Sequence, residues 1–443
     1  MNQRPALRRE LGLFSAALLV VGGIIGSGIF FTPAEVGRAL PDGASILGVW
    51  IVGGVVALAG ALTYAELGAM LPEAGGGYVY IREAFGRLPA FLCGWMTLAL
   101  IASGAIAAVA MGFAGYLERF VDTSMVGGRL GVAAITIAVF TVTNVFGVKP
   151  GTFVQNVLTV AKIGALFGLI GIGFVFWNAT PHAVAAGAAV APAPLPALQG
   201  AAAAFVAVLF TIGGWQQMNM VAGEIRDPQR TIPRGLMIGI GVVIAIYLGA
   251  NVVYLHALGR DGLAASAAVA ADTAERLLGP WGATAITVAA MLSIFGFVNV
   301  ALLTNARLIF ALGQDGAFLR AASRVHPRFG SPHVALILLG AWSLVLLLGT
   351  RGRIGDLLSG VVFADWIFFG LGAASVFALR RKRPDAVRPY RVPGYPLVPA
   401  FFVAAAVVGV TSAYVSSLTT SLFGTALLAL GAIVYWWSTG RAA

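Results

Sequence analysis

Long apolar runs separated by short polar connections occupy the chain from residue 12 to residue 438. A helix needs roughly 20 predominantly apolar residues to cross a bilayer. By that measure the spacing predicts twelve membrane helices, at 12–36, 45–71, 89–117, 129–147, 152–177, 201–222, 233–257, 281–311, 334–349, 355–379, 397–416 and 419–438. The eighth window is long and the ninth is short. The longest connection runs from Asn178 to Gly200, and its Ala191-Pro192-Ala193-Pro194 stretch predicts an irregular loop. The pattern is that of an all-α membrane protein.

Two windows are interrupted. In the first, Gly26-Ser27-Gly28 places three small residues at mid-span, where glycine is a poor helix former. Unwound backbone within a bilayer is tolerated only where it is buried in protein or lines a cavity. Such a break exposes N–H groups at the start of the next half-helix, and these suit an anion such as a carboxylate. Gly22 and Gly26 also form a Gly-x-x-x-Gly pair, so close helix packing is an equal alternative for this stretch alone. The sixth window repeats the anomaly at Phe210-Thr211-Ile212-Gly213-Gly214-Trp215. Interrupted helices at matching positions of two halves point to a transporter's binding site. A spacing of five spans predicts two inverted five-helix repeats, at 12–177 and 201–379, preceded by a tail at 1–11 and followed by two extra helices at 397–438.

Composition agrees with membrane residence. Hydrophobic residues make up 59% and charged residues 10%, against about 25% charged in a soluble domain. Mean hydropathy is +0.92. The formal charge of +11 does not call for a nucleic-acid partner, because most of the 28 Lys and Arg fall on one side of the predicted spans. Arg4, Arg8, Arg9, Arg82, Arg226, Arg230 and the run Arg380 to Arg383 share that side, which the positive-inside rule assigns to the cytoplasm. Both termini are therefore expected there. The N-terminal arginines before an apolar run resemble a signal peptide, but the run is too long for one and is read as an uncleaved first span. The single cysteine, Cys93, excludes an internal disulfide and a Cys cluster, and His182, His256, His326 and His333 show no ligand spacing. No metal and no cofactor are expected.

Few ionisable residues fall inside the spans, and each is a functional candidate by default. Lys162 lies about twelve residues into the fifth window, roughly 18 Å along a helix, too deep to snorkel easily. Asp365 is near the middle of the tenth, where a proton site and a structural hydrogen-bonding role are both open. Glu66 and Arg307 sit toward cytoplasmic ends and read as snorkelling or inner-gate residues. Glu224, Arg226, Asp227 and Arg230 read as a solvated topology anchor.

Several stretches resemble one family. Gly26-Ser27-Gly28-Ile29-Phe30, Ala65-Glu66-Leu67 and Pro72 to Tyr80 resemble motifs of the amino acid–polyamine–organocation transporters. Phe210 to Trp215, Gly223 to Pro228, Ile232-Pro233-Arg234 and Arg388 to Pro393 are similar to its L-type amino-acid transporter branch. So are Phe295-Gly296, Asn299, Arg307 and Pro332. The resemblance covers essentially the whole chain. It implies the leucine-transporter fold and a sodium-independent carrier of amino acids, often an exchanger.

The resemblance also implies a site. N–H groups around Ser27, Gly28 and Ile29 would receive an α-carboxylate. Carbonyls of Phe210, Ile212 and Gly213, with those near Ile24 and Ile25, would receive the α-ammonium, and Gly26 and Thr211 would belong to the same substrate site. Phe210 matches the family's aromatic gate. Lys162 stands where sodium-coupled relatives bind an ion and would brace the unwound first helix, with help from Ser293. Thr211 and Ile212 depart from the more usual Ala and aromatic, and Gln216 from the Asn common in eukaryotic members. Ser103 and Gly104 are candidates for the floor of a side-chain pocket. No acidic residue lies beside either interruption, so a neutral L-amino acid is expected. The loop from Glu118 to Arg129 lacks the Cys by which eukaryotic members join a single-span glycoprotein, so no disulfide-linked heavy subunit is expected. The sequence thus predicts an inner-membrane exchanger of neutral amino acids, with proton-coupled uptake through Lys162 or Asp365 as the rival mechanism. A non-transporting nutrient sensor would need an output domain, and no soluble segment is long enough to be one. An enzyme would need a cluster of His, Cys or carboxylates, which the spans lack.

Overall fold

The computed structural model describes residues 7–178, 196–352 and 355–440, and all of its named elements are helical. The loop expected between the fifth and sixth spans falls largely at 179–195, outside the described residues. Ten helices among the described residues are long and apolar enough to cross a membrane. The sixth and ninth windows correspond to shorter apolar helices, Ala197–Ile212 and His333–Gly349.

The first window holds two helices, α1 (Leu13–Ile24) and α2 (Gly28–Ala39), separated at residues 25–27. Asp42 caps α3 (Gly43–Met70) by accepting a 2.8 Å hydrogen bond from the Ser45 N–H. A short amphipathic helix, α4 (Gly77–Phe85), follows. The third window divides into α5 (Arg87–Met96), a π-helical turn at Thr97–Ile101, and α6 (Ala102–Leu117). Then come α7 (Gly128–Val145) and α8 (Val148–Val175). The sixth window holds α9 (Ala197–Ile212) and the one-turn α10 (Gln217–Met220). The remaining helices are α11 (Pro228–Ala265), α12 (Val269–Leu278), α13 (Pro280–Gln314), α14 (His333–Gly349), α15 (Gly355–Lys382), α16 (Leu397–Ser416) and α17 (Leu418–Gly440).

Small residues set how closely these helices approach. A Cβ on Gly239 of α11 would lie 2.5 Å from Val20 of α1, and one on Gly60 of α3 would lie 2.4 Å from Phe402 of α16. Without a hydrophobic drive between helices in lipid, such close backbone packing provides van der Waals contact. It places α1 in the centre, against α8, α11 and α13. Apolar residues exposed on outer faces, such as Val157 and Val160 of α8 and Val407 and Val408 of α16, need no core partner in a chain whose surroundings are hydrocarbon.

One charged residue stands otherwise than its sequence position suggested: Glu224 is not solvated. Its side chain is 1% exposed and forms a salt bridge, with 2.7 and 3.1 Å contacts, to Arg307, which is 0% exposed; of the two readings open for Arg307, snorkelling does not hold. Arg307 also donates to the Leu303 carbonyl at 2.5 Å. The reason is tertiary. The Glu224 carbonyl accepts from the N–H groups of Glu10 and Leu11, and Arg226 N–H donates back to the Leu11 carbonyl. These bonds draw the post-α10 segment against the tail that precedes α1, and α13 covers it. Glu66 is likewise buried; it receives Arg380 at 2.9 and 2.7 Å and the Val392 N–H at 2.7 Å.

Candidate functional site

The two interruptions meet. Gly214 has φ +105°, in the region where only glycine is unstrained, and a Cβ there would stand 2.1 Å from the Gly23 carbonyl oxygen. Its N–H is satisfied at 3.0 Å by Oε1 of Gln216. Across the same junction, a Cβ on Gly28 would lie 2.6 Å from Cγ2 of Thr211. Thr211 in turn bonds Thr32 of α2 through its hydroxyl at 2.8 Å. Tyr247 of α11 points its hydroxyl at the carbonyls of Ile24 and Thr211, each 3.2 Å away. One hydroxyl thus bridges both breaks, a role marked in the sequence only by a phenol in the middle of an apolar window.

Helix ends leave polar backbone groups without intrahelical partners. The start of α2 presents first-turn N–H groups, with no side-chain cap from Ser27, while the ends of α1 and α9 present carbonyls. The positive and negative dipole ends lie side by side, an arrangement able to hold both ends of a zwitterion.

Lys162 of α8 is fully buried and donates its ammonium to the Gly22 carbonyl at 3.3 Å and to the Ile25 carbonyl. Ser293 of α13 donates toward the Gly26 carbonyl at 3.0 Å, with Ile25 at 3.3 Å. These two side chains occupy carbonyls at the first break, and neither lines the cavity described next.

A cavity of about 110 Å³ opens beside the breaks. From the first break it is lined by Gly23, Ile24, Gly26, Ser27 and Gly28, and from the second by Phe210, Thr211, Gly213 and Gly214. Of the residues expected at the site, Ile25, Ile29 and Ile212 are buried behind this wall rather than in it. Phe210 is 38% exposed at the cavity's edge. Ser103 and Gly104, expected as a floor, do not line it. Their neighbours Ile101, Ala102 and Ala105 do, with Thr97. The π-helical turn just before them inserts a residue and rotates the register, and the Ser103 hydroxyl is spent on the Leu98 carbonyl at 2.6 Å.

Further lining comes from residues that sequence reasoning did not select: Gln216, Gln217, Phe297, Asn305, Trp366 and Phe369. Asp365 of α15 also lines the cavity. The expectation that no acid stands near the breaks therefore holds along the chain but not in space. Among the described residues no group of three or more His, Cys, Asp or Glu could hold a metal ion.

On the cytoplasmic side assigned by the arginines, Arg82 of α4 pairs with Asp315 at 2.5 Å and with Glu83 and Glu73. Burial acts to raise the Glu83 carboxyl, but hydrogen bonds from Arg383 and Arg82 outweigh it and hold the group below its ordinary value.

The family model described as amino acid permease matches residues 11–437. The chain belongs to the amino acid permease family. It is thereby a multi-pass membrane transporter of the amino acid–polyamine–organocation superfamily. It is 33% identical over 398 residues to the mouse large neutral amino acids transporter small subunit 2, covering 87% of this chain and 73% of that protein. It is 30% identical over 403 residues to the serine/threonine exchanger SteT of Bacillus subtilis, covering 90% and 89%. Identity to the human cystine/glutamate transporter is 31% over 411 residues, covering 90% and 79%.

Proposed function

We propose that this permease exchanges L-amino acids across the bacterial inner membrane, without sodium, by alternating access. The reading takes the chain as twelve spans in the leucine-transporter fold: two inverted five-helix repeats, with helices 1 and 6 discontinuous, plus two further helices. Both termini are cytoplasmic. The substrate's α-carboxylate binds the N–H groups at Ser27, Gly28 and Ile29, and its α-ammonium the carbonyls about Ile24 and Phe210. Phe210 closes over it.

The observation that carries sodium independence is the Lys162 ammonium on the Gly22 and Ile25 carbonyls. A fixed cation there supplies the charge that a bound metal ion would otherwise bring to the unwound backbone. Exchange is supported by the similarity to a serine/threonine exchanger. No disulfide-linked heavy subunit is proposed, because residues 118–129 contain no cysteine. The sequence pointed to small or medium neutral side chains for want of a nearby acid. Asp365 in the cavity wall removes that ground, so the proposal is made for α-amino acids as a class.

Flux in proteoliposomes tests it. Vesicles are loaded with an unlabelled amino acid or with buffer, and entry of labelled Ala, Ser, Thr, Leu, Phe and Arg is followed at symmetric pH without sodium. Entry only into amino-acid-loaded vesicles is expected. Entry into buffer-loaded vesicles, enhanced by external acid, would replace exchange by proton-coupled uptake. Binding without any flux would indicate a sensor.

A further inference from the structure

Asp365 is the one charged side chain among the described residues that line the cavity. Among the described residues it has no hydrogen bond and no ion pair. Asp365 is half-buried, and the two acids that are fully buried among the described residues are compensated, Glu66 by Arg380 and Glu224 by Arg307. Taking a carboxylate out of water without a cation is costly. The mid-membrane cation Lys162 is already used, because it is turned onto the carbonyls of the first break and does not line the cavity.

The rest of the wall fits a cation too. Phe210, Phe297, Trp366 and Phe369 all line the same cavity, and aromatic faces attract ammonium and guanidinium groups, more strongly when water is excluded. Asn305 adds an amide oxygen that can accept from its N–H groups, while the oxygens of Gln216 and Gln217 already accept from the Gly214 N–H and the Thr304 hydroxyl. A neutral side chain would leave the carboxylate unpaired when the cavity closes, whereas a basic one would pair it at that moment.

We infer that Asp365 is the specificity residue for a cationic side chain, and that this permease takes dibasic amino acids, with the side-chain ammonium or guanidinium on the Asp365 carboxylate. The inference rests on the exchange reading above and narrows its substrate class. The aromatic rings hold the alkyl stem, and the two broken helices hold the α-groups.

The test is exchange by the full chain in proteoliposomes at symmetric pH, with labelled arginine, lysine and leucine. Wild-type protein is expected to exchange arginine and lysine. Asp365→Asn should raise the ratio of the arginine KM to the leucine KM at least tenfold, and Asp365→Glu, which keeps the charge, should restore most of it. Exchange of leucine but not of arginine or lysine by wild-type protein would overturn the inference and leave the exchange reading standing. So would an unchanged KM ratio in Asp365→Asn. If that variant fails to fold, competition decides: excess unlabelled arginine must inhibit wild-type leucine exchange, and its failure to do so would overturn the inference. Exchange of no amino acid at all would overturn the parent reading instead.

Discussion

The backbone of Gly214 lies against that of Gly23, so close that a methyl group on Gly214 would stand 2.1 Å from the Gly23 carbonyl oxygen. The end of α1 and the segment between α9 and α10 thus share one junction. Gly214→Ala forces both a clash with backbone and a positive φ on a residue with a Cβ. The strain alone costs about 1–3 kcal/mol. A lowered melting temperature in detergent is expected, together with loss of transport. A variant as stable and as active as wild type would separate the two breaks.

Gly28→Val should abolish substrate binding. The new side chain would meet Thr211 at the cavity wall, where a Cβ already stands 2.6 Å from Cγ2. Binding measured by substrate-induced thermal stabilisation should disappear. Normal affinity would remove Gly28 from the site.

Lys162→Ala should impair turnover more than folding. It frees the carbonyls of Gly22 and Ile25 and leaves the unwound stretch without its fixed cation. Exchange is expected to fall at least ~10-fold, equivalent to about 1.4 kcal/mol in the barrier, with the protein still monodisperse in detergent. Transport at the wild-type rate would sink the role assigned to Lys162.

Arg307→Met strands the buried Glu224 carboxylate. Removing one partner of a buried pair typically costs about 3–5 kcal/mol, whereas replacing both with apolar groups is often nearly neutral. The double variant Glu224→Leu/Arg307→Met should therefore melt higher than Arg307→Met alone. Equal melting temperatures for the two would mean that the carboxylate is not stranded.

Glu83 gives a pH dependence with a definite sign. Its folded-state value is depressed by Arg383 and Arg82, so its contribution is fully present above the ordinary Glu value of about 4.3. It is lost as pH falls through the depressed value. The melting difference between wild type and Glu83→Gln should be present at neutral pH and shrink in acid. A difference that grows with acid would contradict the pairing.

The sequence by itself determined what the bilayer dictates. Hydropathy has only one solution in lipid for a chain with no β pattern, and ten of the windows coincide with helices long and apolar enough to cross a membrane among the described residues. Glycine runs without helix propensity marked the ends of α1 and α9, and Lys162 stood out because a charge at that depth needs a partner. Tertiary structure decided which residues share a wall. The π-helical turn at Thr97–Ile101 turned Ser103 and Gly104 away, a one-residue register change that apolar sequence does not signal. Contact between distant segments buried Glu224 with Arg307, 83 residues apart. The same packing carried Asp365 to a cavity bounded by helices far from it in sequence. Periodicity is a local property of the chain, whereas charge compensation and cavity chemistry depend on which helices meet.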